Sequence, residues 1–101
     1  MIEFRLAPEA EAELDDIWLH IAREGGNIDL ANSVIEDITE RCWLLARYPY
    51  LGRSRGEDLR PGLRSLAVGD YIVMYRIELD DTALILHVVQ GRRDLNSIVS
   101  E

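Results

Sequence analysis

The hydrophobic period of this chain changes once along its length, and that change limits the fold to a few possibilities. Up to Leu45 the apolar residues recur at helical spacing, with Leu14, Ile17, Trp18, Ile21 and Ala22 on one stripe and Ala31, Val34, Ile35, Ile38, Cys42 and Leu45 on a second. From Leu63 onward they gather instead into short strand-like runs, at Leu63 to Val68, Tyr71 to Glu78 and Ala83 to Val89. The stretch between, Tyr48 to Pro61, is broken by Pro49, Gly52, Gly56 and Pro61 and carries mixed charge, so it reads as an exposed loop. A leading segment, Ile2 to Leu6, alternates apolar and polar residues until Pro8 stops it. The predicted order is β-α-α-β-β-β. Such an order places a helical hairpin against one face of a mainly antiparallel four-stranded sheet, an α+β fold in a single domain over residues 1–101.

Local chemistry sets the expected boundaries. Pro8 suits a first helical turn and Glu9 and Glu11 favour its positive dipole end, which predicts a helix over 8–24. Gly25-Gly26 supplies a left-handed stop, and Asn27 or Asp29 can cap a second helix that ends before Pro49. So short a link folds the two helices back as a hairpin. Gly69-Asp70 is a two-residue hairpin connection with glycine where positive φ is needed. It pairs Val68 with Tyr71, Leu66 with Val73 and Arg64 with Tyr75, and sets Arg76 opposite Leu63, where an acid of the helical layer is its expected partner. Asp80-Asp81 turns the chain again, and the apolar run Ala83 to Val89 reads as a central strand covered on both faces.

Composition removes several classes of function. A chain of 101 residues has one small core, burying roughly two thirds of its unfolded surface. No apolar run is long enough to cross a bilayer, and the first residues lack the pattern of a secretory signal, so the expected location is the cytoplasm. One cysteine, Cys42, allows no internal disulfide and no metal site by itself, and His20 and His87 lack ligand spacing, so no metal or other cofactor is expected. The net charge is −8, which disfavours direct nucleic-acid binding, because phosphate affinity comes largely from basic side chains releasing counterions. Residues 1–51 hold eleven acids and four arginines, residues 52–101 eight acids and seven arginines, so the strand half is nearly neutral. All eleven basic residues are arginine, which excludes lysine chemistry and favours bidentate recognition of carboxylates or other anions.

Several short motifs, in their order and spacing, resemble the RelE/ParE superfamily of type II toxins, and within it the ParE branch. They are Pro8 with the acidic first helix, Tyr48-Pro49-Tyr50-Leu51-Gly52, Leu59 to Ser65, Val68-Gly69-Asp70-Tyr71, Tyr75-Arg76 and Gly91-Arg92-Arg93-Asp94-Leu95. The resemblance runs nearly end to end. It implies a small cytoplasmic toxin neutralised by a cognate ParD-like antitoxin in a hetero-oligomer, with DNA gyrase as the target of ParE-like members and ribosome-bound mRNA as that of others. The carboxyl end, Arg92 to Glu101, is similar to the segment to which target inhibition is often attributed in ParE-like proteins. Gln90 departs from the family pattern, in which histidine commonly precedes the glycine.

Residue chemistry separates the branches. Metal-free RNA cleavage requires a base, an acid and cations around the phosphorane. Arginines could supply the cations, but there is no lysine, nothing aromatic follows Tyr75, and His87, the one candidate base, sits inside an apolar strand where packing is the simpler role. No catalytic residue is assigned; the expectation is a non-enzymatic, gyrase-binding toxin. The alternatives are a metal-independent, ribosome-dependent endoribonuclease, and a degenerate member that binds antitoxin without toxicity. Target contact falls to Arg60, Arg64, Arg92 and Arg93, lining one exposed end of the sheet, with an internal ion-pair network as the structural alternative. Antitoxin contact falls to Trp18, Ile21, Ile38 and Trp43 on the helical hairpin, although tryptophans on such stripes are commonly core.

Overall fold

A computed structural model of the chain describes residues 3–99. The elements are β1 (Phe4–Leu6), α1 (Pro8–Glu24), α2 (Ile28–Arg47), β2 (Arg53–Ser54), β3 (Arg64–Val68), β4 (Tyr71–Ile77), β5 (Ala83–Gln90) and α3 (Leu95–Val99). One five-stranded sheet runs in the order β1-β5-β4-β3-β2, with β1 parallel to β5 and every other pair antiparallel. The α+β class and the helical hairpin are as the hydrophobic pattern requires. The strand count is corrected from four to five, because two residues of the expected loop, Arg53 and Ser54, pair with Ser65 and Arg64. The expected first strand began at Ile2, which lies outside the described residues.

Local signals act where their chemistry puts them. Pro8 opens α1. Asn27 caps α2, its side chain accepting from the Leu30 N–H at 3.0 Å, and Gly26 rather than Gly25 takes the positive φ of the link, at 59°. Gly69, φ 57°, is the only positive-φ residue of the β3–β4 turn, as a type II′ connection demands. The register is Val68 with Tyr71, Leu66 with Val73 and Arg64 with Tyr75. Arg76 does not reach the helical layer; its Nε meets Glu78 of the same chain segment at 3.2 Å, two residues along and on the surface.

Two cores lie on opposite faces of the sheet. On the helical face Ala10, Ile38, Cys42 and Leu45 close over Val73, Tyr75, Ile85 and Val88. On the far face Leu63, Met74, Val89 and Val99 form a smaller cluster, flanked by Leu59, Ile72, Leu86, Leu95 and Ile98. Strand β5 serves both, which explains its nearly unbroken apolar run. The far-face cover was not legible in the periodicity, because α3 has five residues and one and a half turns show no stripe. A register shift between Met74 and Tyr75 leaves Leu86 as the extra residue of β5, with Ile85 opposite Tyr75 and His87 opposite Met74.

Candidate functional site

The motifs that carried the resemblance meet in one knot at the start of β3. Tyr75, fully buried, donates its hydroxyl to the Pro49 carbonyl at 2.6 Å and accepts the Gly52 N–H at 2.9 Å. Gly52 admits no side chain there: a Cβ would stand 2.6 Å from the Tyr75 hydroxyl and 2.6 Å from the Ser65 carbonyl. Arg64 closes the knot, donating from Nη2 to the carbonyls of Tyr50 and Gly52 while its guanidinium lies 5.3 Å from the centre of the Tyr50 ring. Its Nε is buried without a partner among the described residues.

Beside the knot sits an arginine that sequence reasoning passed over as loop charge. Arg55 is 9% exposed, and its Nε and Nη2 grip Asp58 at 2.9 and 2.6 Å while Nη1 donates to the Ser65 hydroxyl at 3.1 Å. Those hydrogen bonds hold the Asp58 carboxyl below its usual range. The (i, i+3) spacing of Arg55 and Asp58 was the available signal; the contact with Ser65, ten residues on, was not local.

The four arginines assigned to target contact are not gathered at one end, and that expectation is corrected. Arg64 stands opposite Tyr75, whereas Arg92 and Arg93 follow Gln90, which stands opposite Tyr71 at the other end of β4. Arg60 is half-buried on the far face, its Nη1 donating to the Val99 carbonyl at 2.9 Å, so it anchors the C-terminal end of α3. Arg92 and Arg93 are exposed and form no ion pair among the described residues. In place of the internal ion-pair network weighed as the alternative, Arg55 pairs with Asp58 and Arg60 bonds a backbone carbonyl. Of the carboxyl-end segment, Ser100 and Glu101 lie outside the described residues.

The hairpin residues separate as well. Trp18 is half-buried and donates from Nε1 to Asn32 Oδ1 at 2.8 Å, joining α1 to α2. Ile21 is half-buried beside it in sequence, near the inter-helix link. Ile38, 1% exposed, lies in the core and offers no surface to a partner. Trp43 is 52% exposed and packs edge-on against Phe4 with ring centroids 4.9 Å apart. Tyr48, Tyr50 and Leu51, just beyond the end of α2, are also exposed, which sequence reasoning missed. The outer edge of β3 is also open, since β2 pairs only with Arg64 and Ser65, and Leu66 to Val68, paired with β4 on their inner side, have no strand on the outer side among the described residues. Grooves at this edge are walled by Val34, Asp37 and Glu40 of α2 and by Val68 and Gly69.

His87 is held by Glu13 of α1, with Nδ1 3.1 Å from Oε2. The same carboxylate accepts the Val88 N–H at 3.0 Å through Oε1. Cys42 is buried, and burial pushes its thiol up to about 12, so it is inert near neutral pH. Among the described residues no three His, Cys, Asp or Glu side chains converge in a way that could hold a metal ion, and no helix is long and apolar enough to cross a membrane.

Comparison with known proteins agrees with this architecture. Residues 4–95 match the family described as the ParE toxin of the type II toxin-antitoxin system parDE. Toxin ParE3 of Caulobacter vibrioides is 34% identical over 83 residues, covering 82% of this chain and 80% of that protein. Toxin ParE1 of Mycobacterium tuberculosis is 28% identical over 93 residues, covering 92% and 93%. Among solved structures, the chromosomal ParDE system from P. aeruginosa superposes with a TM-score of 0.74 at 24% identity over 89% of this chain and 96% of that one. The RelBE2 toxin-antitoxin complex from Mycobacterium tuberculosis gives 0.61 at 22% identity over 88% and 96%. The two superpositions bear on the fold; the match over residues 4–95 bears on kinship, and by it the chain belongs to the ParE family of toxins of type II toxin-antitoxin systems.

Proposed function

We propose that this chain inhibits DNA gyrase by direct, non-catalytic binding and is neutralised by a cognate antitoxin. The observation that carries the reading is membership of the ParE branch over residues 4–95. The state of its polar groups supports it. Arg64 and Arg60 are bonded to backbone carbonyls, so they stand as structural members rather than as cations around a phosphate. Arg92 and Arg93 remain as exposed planar cations for an acidic target surface. A supercoiling assay with purified protein tests the reading: loss of supercoils with build-up of protease-released linear DNA is the expected result, and unchanged supercoiling and cleaved-complex levels at all concentrations reject it.

The antitoxin contact is drawn to the hairpin side of the molecule. Trp43 on α2 and Tyr48, Tyr50 and Leu51 beyond its end are each exposed, and the open edge of β3 beside the Asp37 and Glu40 groove admits a strand and favours basic side chains. The two solved relatives are toxin-antitoxin systems by their descriptions. Replacing Trp43 by Ala should weaken antitoxin binding while leaving the supercoiling effect of free toxin intact; equal loss of both would reassign Trp43 to stability.

One observation favours a second reading, ribosome-dependent mRNA cleavage: Glu13 orients the His87 ring as a carboxylate orients a general base. Codon-positioned cleavage on ribosomes, lost in His87→Ala, would establish it and displace the gyrase reading.

A further inference from the structure

Strand pairing gathers a set of side chains on the far face of the sheet. Arg53 of β2 stands opposite Ser65 of β3, and Ser65 in turn stands opposite Met74 of β4, so the three share one side. Two residues along β3, Ala67 faces Ile72 on that same side. Met74 and Ile72 belong to the far-face cluster, which fixes the side as the one away from the helical hairpin. A cleft of about 350 Å³ opens there, lined in part by Leu51, Arg53, Arg55, Ser65, Ala67 and Ile72. Its volume lies within the usual range of ligand sites, roughly 300–1,000 Å³.

The cleft offers donors, and no acid lines it. Ser65, 6% exposed, accepts at its hydroxyl from Arg55 Nη1 at 3.1 Å, and the hydroxyl proton meets no acceptor among the described residues. A buried donor in that state gains from an incoming acceptor. Arg53 is exposed and joins no ion pair among the described residues. Asp58 is gripped by Arg55 and is not part of the lining, so the charge of Arg53 stands unmatched within the cleft. Leu51, Ala67 and Ile72 make the rest of this wall apolar.

We infer that this cleft receives an acidic side chain of the protein target, an Asp or Glu flanked by apolar residues, its carboxylate held by the Arg53 guanidinium and the Ser65 hydroxyl and its neighbours set against Ile72 and Leu51. One unmatched charge, one hydroxyl donor and an apolar wall suit a single carboxylate better than a run of phosphates, and the net charge of −8 opposes nucleic acid. Ile72 also joins the cleft to the exposed arginines. A Cβ on Gly91 would stand 3.5 Å from the Ile72 side chain, so the backbone that enters Arg92 passes beside it. The inference rests on the gyrase reading above and adds Arg53 and Ser65 to the surface that meets the target.

Supercoiling assays with the full chain, comparing the parent with Arg53→Glu, Arg53→Lys and Ser65→Ala, test this contact. Half-inhibition of gyrase should need about tenfold more Arg53→Glu and about threefold more Ser65→Ala than parent. Arg53→Lys, which keeps the charge without the planar fork, should fall between the parent and Arg53→Glu. Both Arg53 variants should melt with the parent, because Arg53 has no side-chain partner to lose among the described residues. Should Arg53→Glu melt lower, Arg53→Gln, which removes the charge without reversing it, decides in its place. Inhibition by a folded Arg53 variant lacking the charge at the parent's concentration overturns the inference. Codon-positioned mRNA cleavage on ribosomes that Arg53→Glu abolishes also overturns it, since the cleft would then serve RNA. A parent chain without effect on gyrase overturns the reading beneath, and this contact with it.

Discussion

The two faces of the sheet are closed by different physics. The helical face is roofed by α1 and α2, 17 and 20 residues long, whose apolar stripes deliver Ala10, Ile38, Cys42 and Leu45 into a continuous core. The far face is roofed by five residues of α3 and by the loop around Leu59 and Leu63, and it is fastened by arginines: Arg55 to Asp58 and Ser65, Arg60 to the Val99 carbonyl. Amphipathic periodicity is enough to build the first roof. The second is a smaller apolar cluster, supplemented by these charge-assisted hydrogen bonds from arginine.

That difference can be tested by removing one support at a time. The largest effect should come from the helical face: Ile38→Ala leaves a cavity in packed surroundings and should cost about 2–5 kcal/mol in chemical denaturation. A loss below about 1 kcal/mol would mean that the helical roof can collapse onto the gap. Next is the knot between the two roofs, where Tyr75→Phe deprives the Pro49 carbonyl of its donor and the Gly52 N–H of its acceptor; about 1–3 kcal/mol is expected, with faster exchange of the Gly52 amide as the local sign. On the far face, Arg60→Gln should cost only about 0.5–1.5 kcal/mol, and its mark should be local, with α3 amides exchanging faster while those of α2 are unchanged. Equal acceleration in both helices would show the two faces to be one cooperative unit.

The smallest effect is a dependence on pH. The carboxyl of Asp58 is held low chiefly by its hydrogen bonds with Arg55, and that of Asp80 by those with Thr82. A folded-state value below the unfolded one means that the native state binds fewer protons, so the contribution is complete above the ordinary carboxylate range, about pH 4, and fades as pH falls through the folded value. Replacing Asp58 by Asn should flatten part of that acid limb in thermal melts. An unchanged limb would assign it to Asp80 and the other carboxylates.

Contrast between the faces also marks what was legible beforehand. Helix α1, the Asn27 cap and the register across Gly69 each rest on interactions spanning a few residues, so the local sequence contains the cause. The register held because a slip by one residue would turn Leu66 and Val73 away from the core. Arg60 and Arg64 were legible as important but not in their roles. Their partners are carbonyls 39 and 12 residues away, and a carbonyl has no identity in a sequence. Trp18 and Trp43 show the same limit: both lie near apolar stripes, yet one bonds Asn32 at the inter-helix seam and the other stands half in solvent beside Phe4.

By itself, then, the sequence determined the α+β class, the helical hairpin and the central place of β5, because hydrophobic periodicity and turn chemistry act over short range and point to one arrangement. Only the tertiary structure decided which arginines are fasteners and which remain exposed, that Glu13 takes the Val88 N–H and His87, and where the sheet is left open. Those outcomes depend on where β1 and β2 run out against longer neighbours, and that is settled when whole elements pack together.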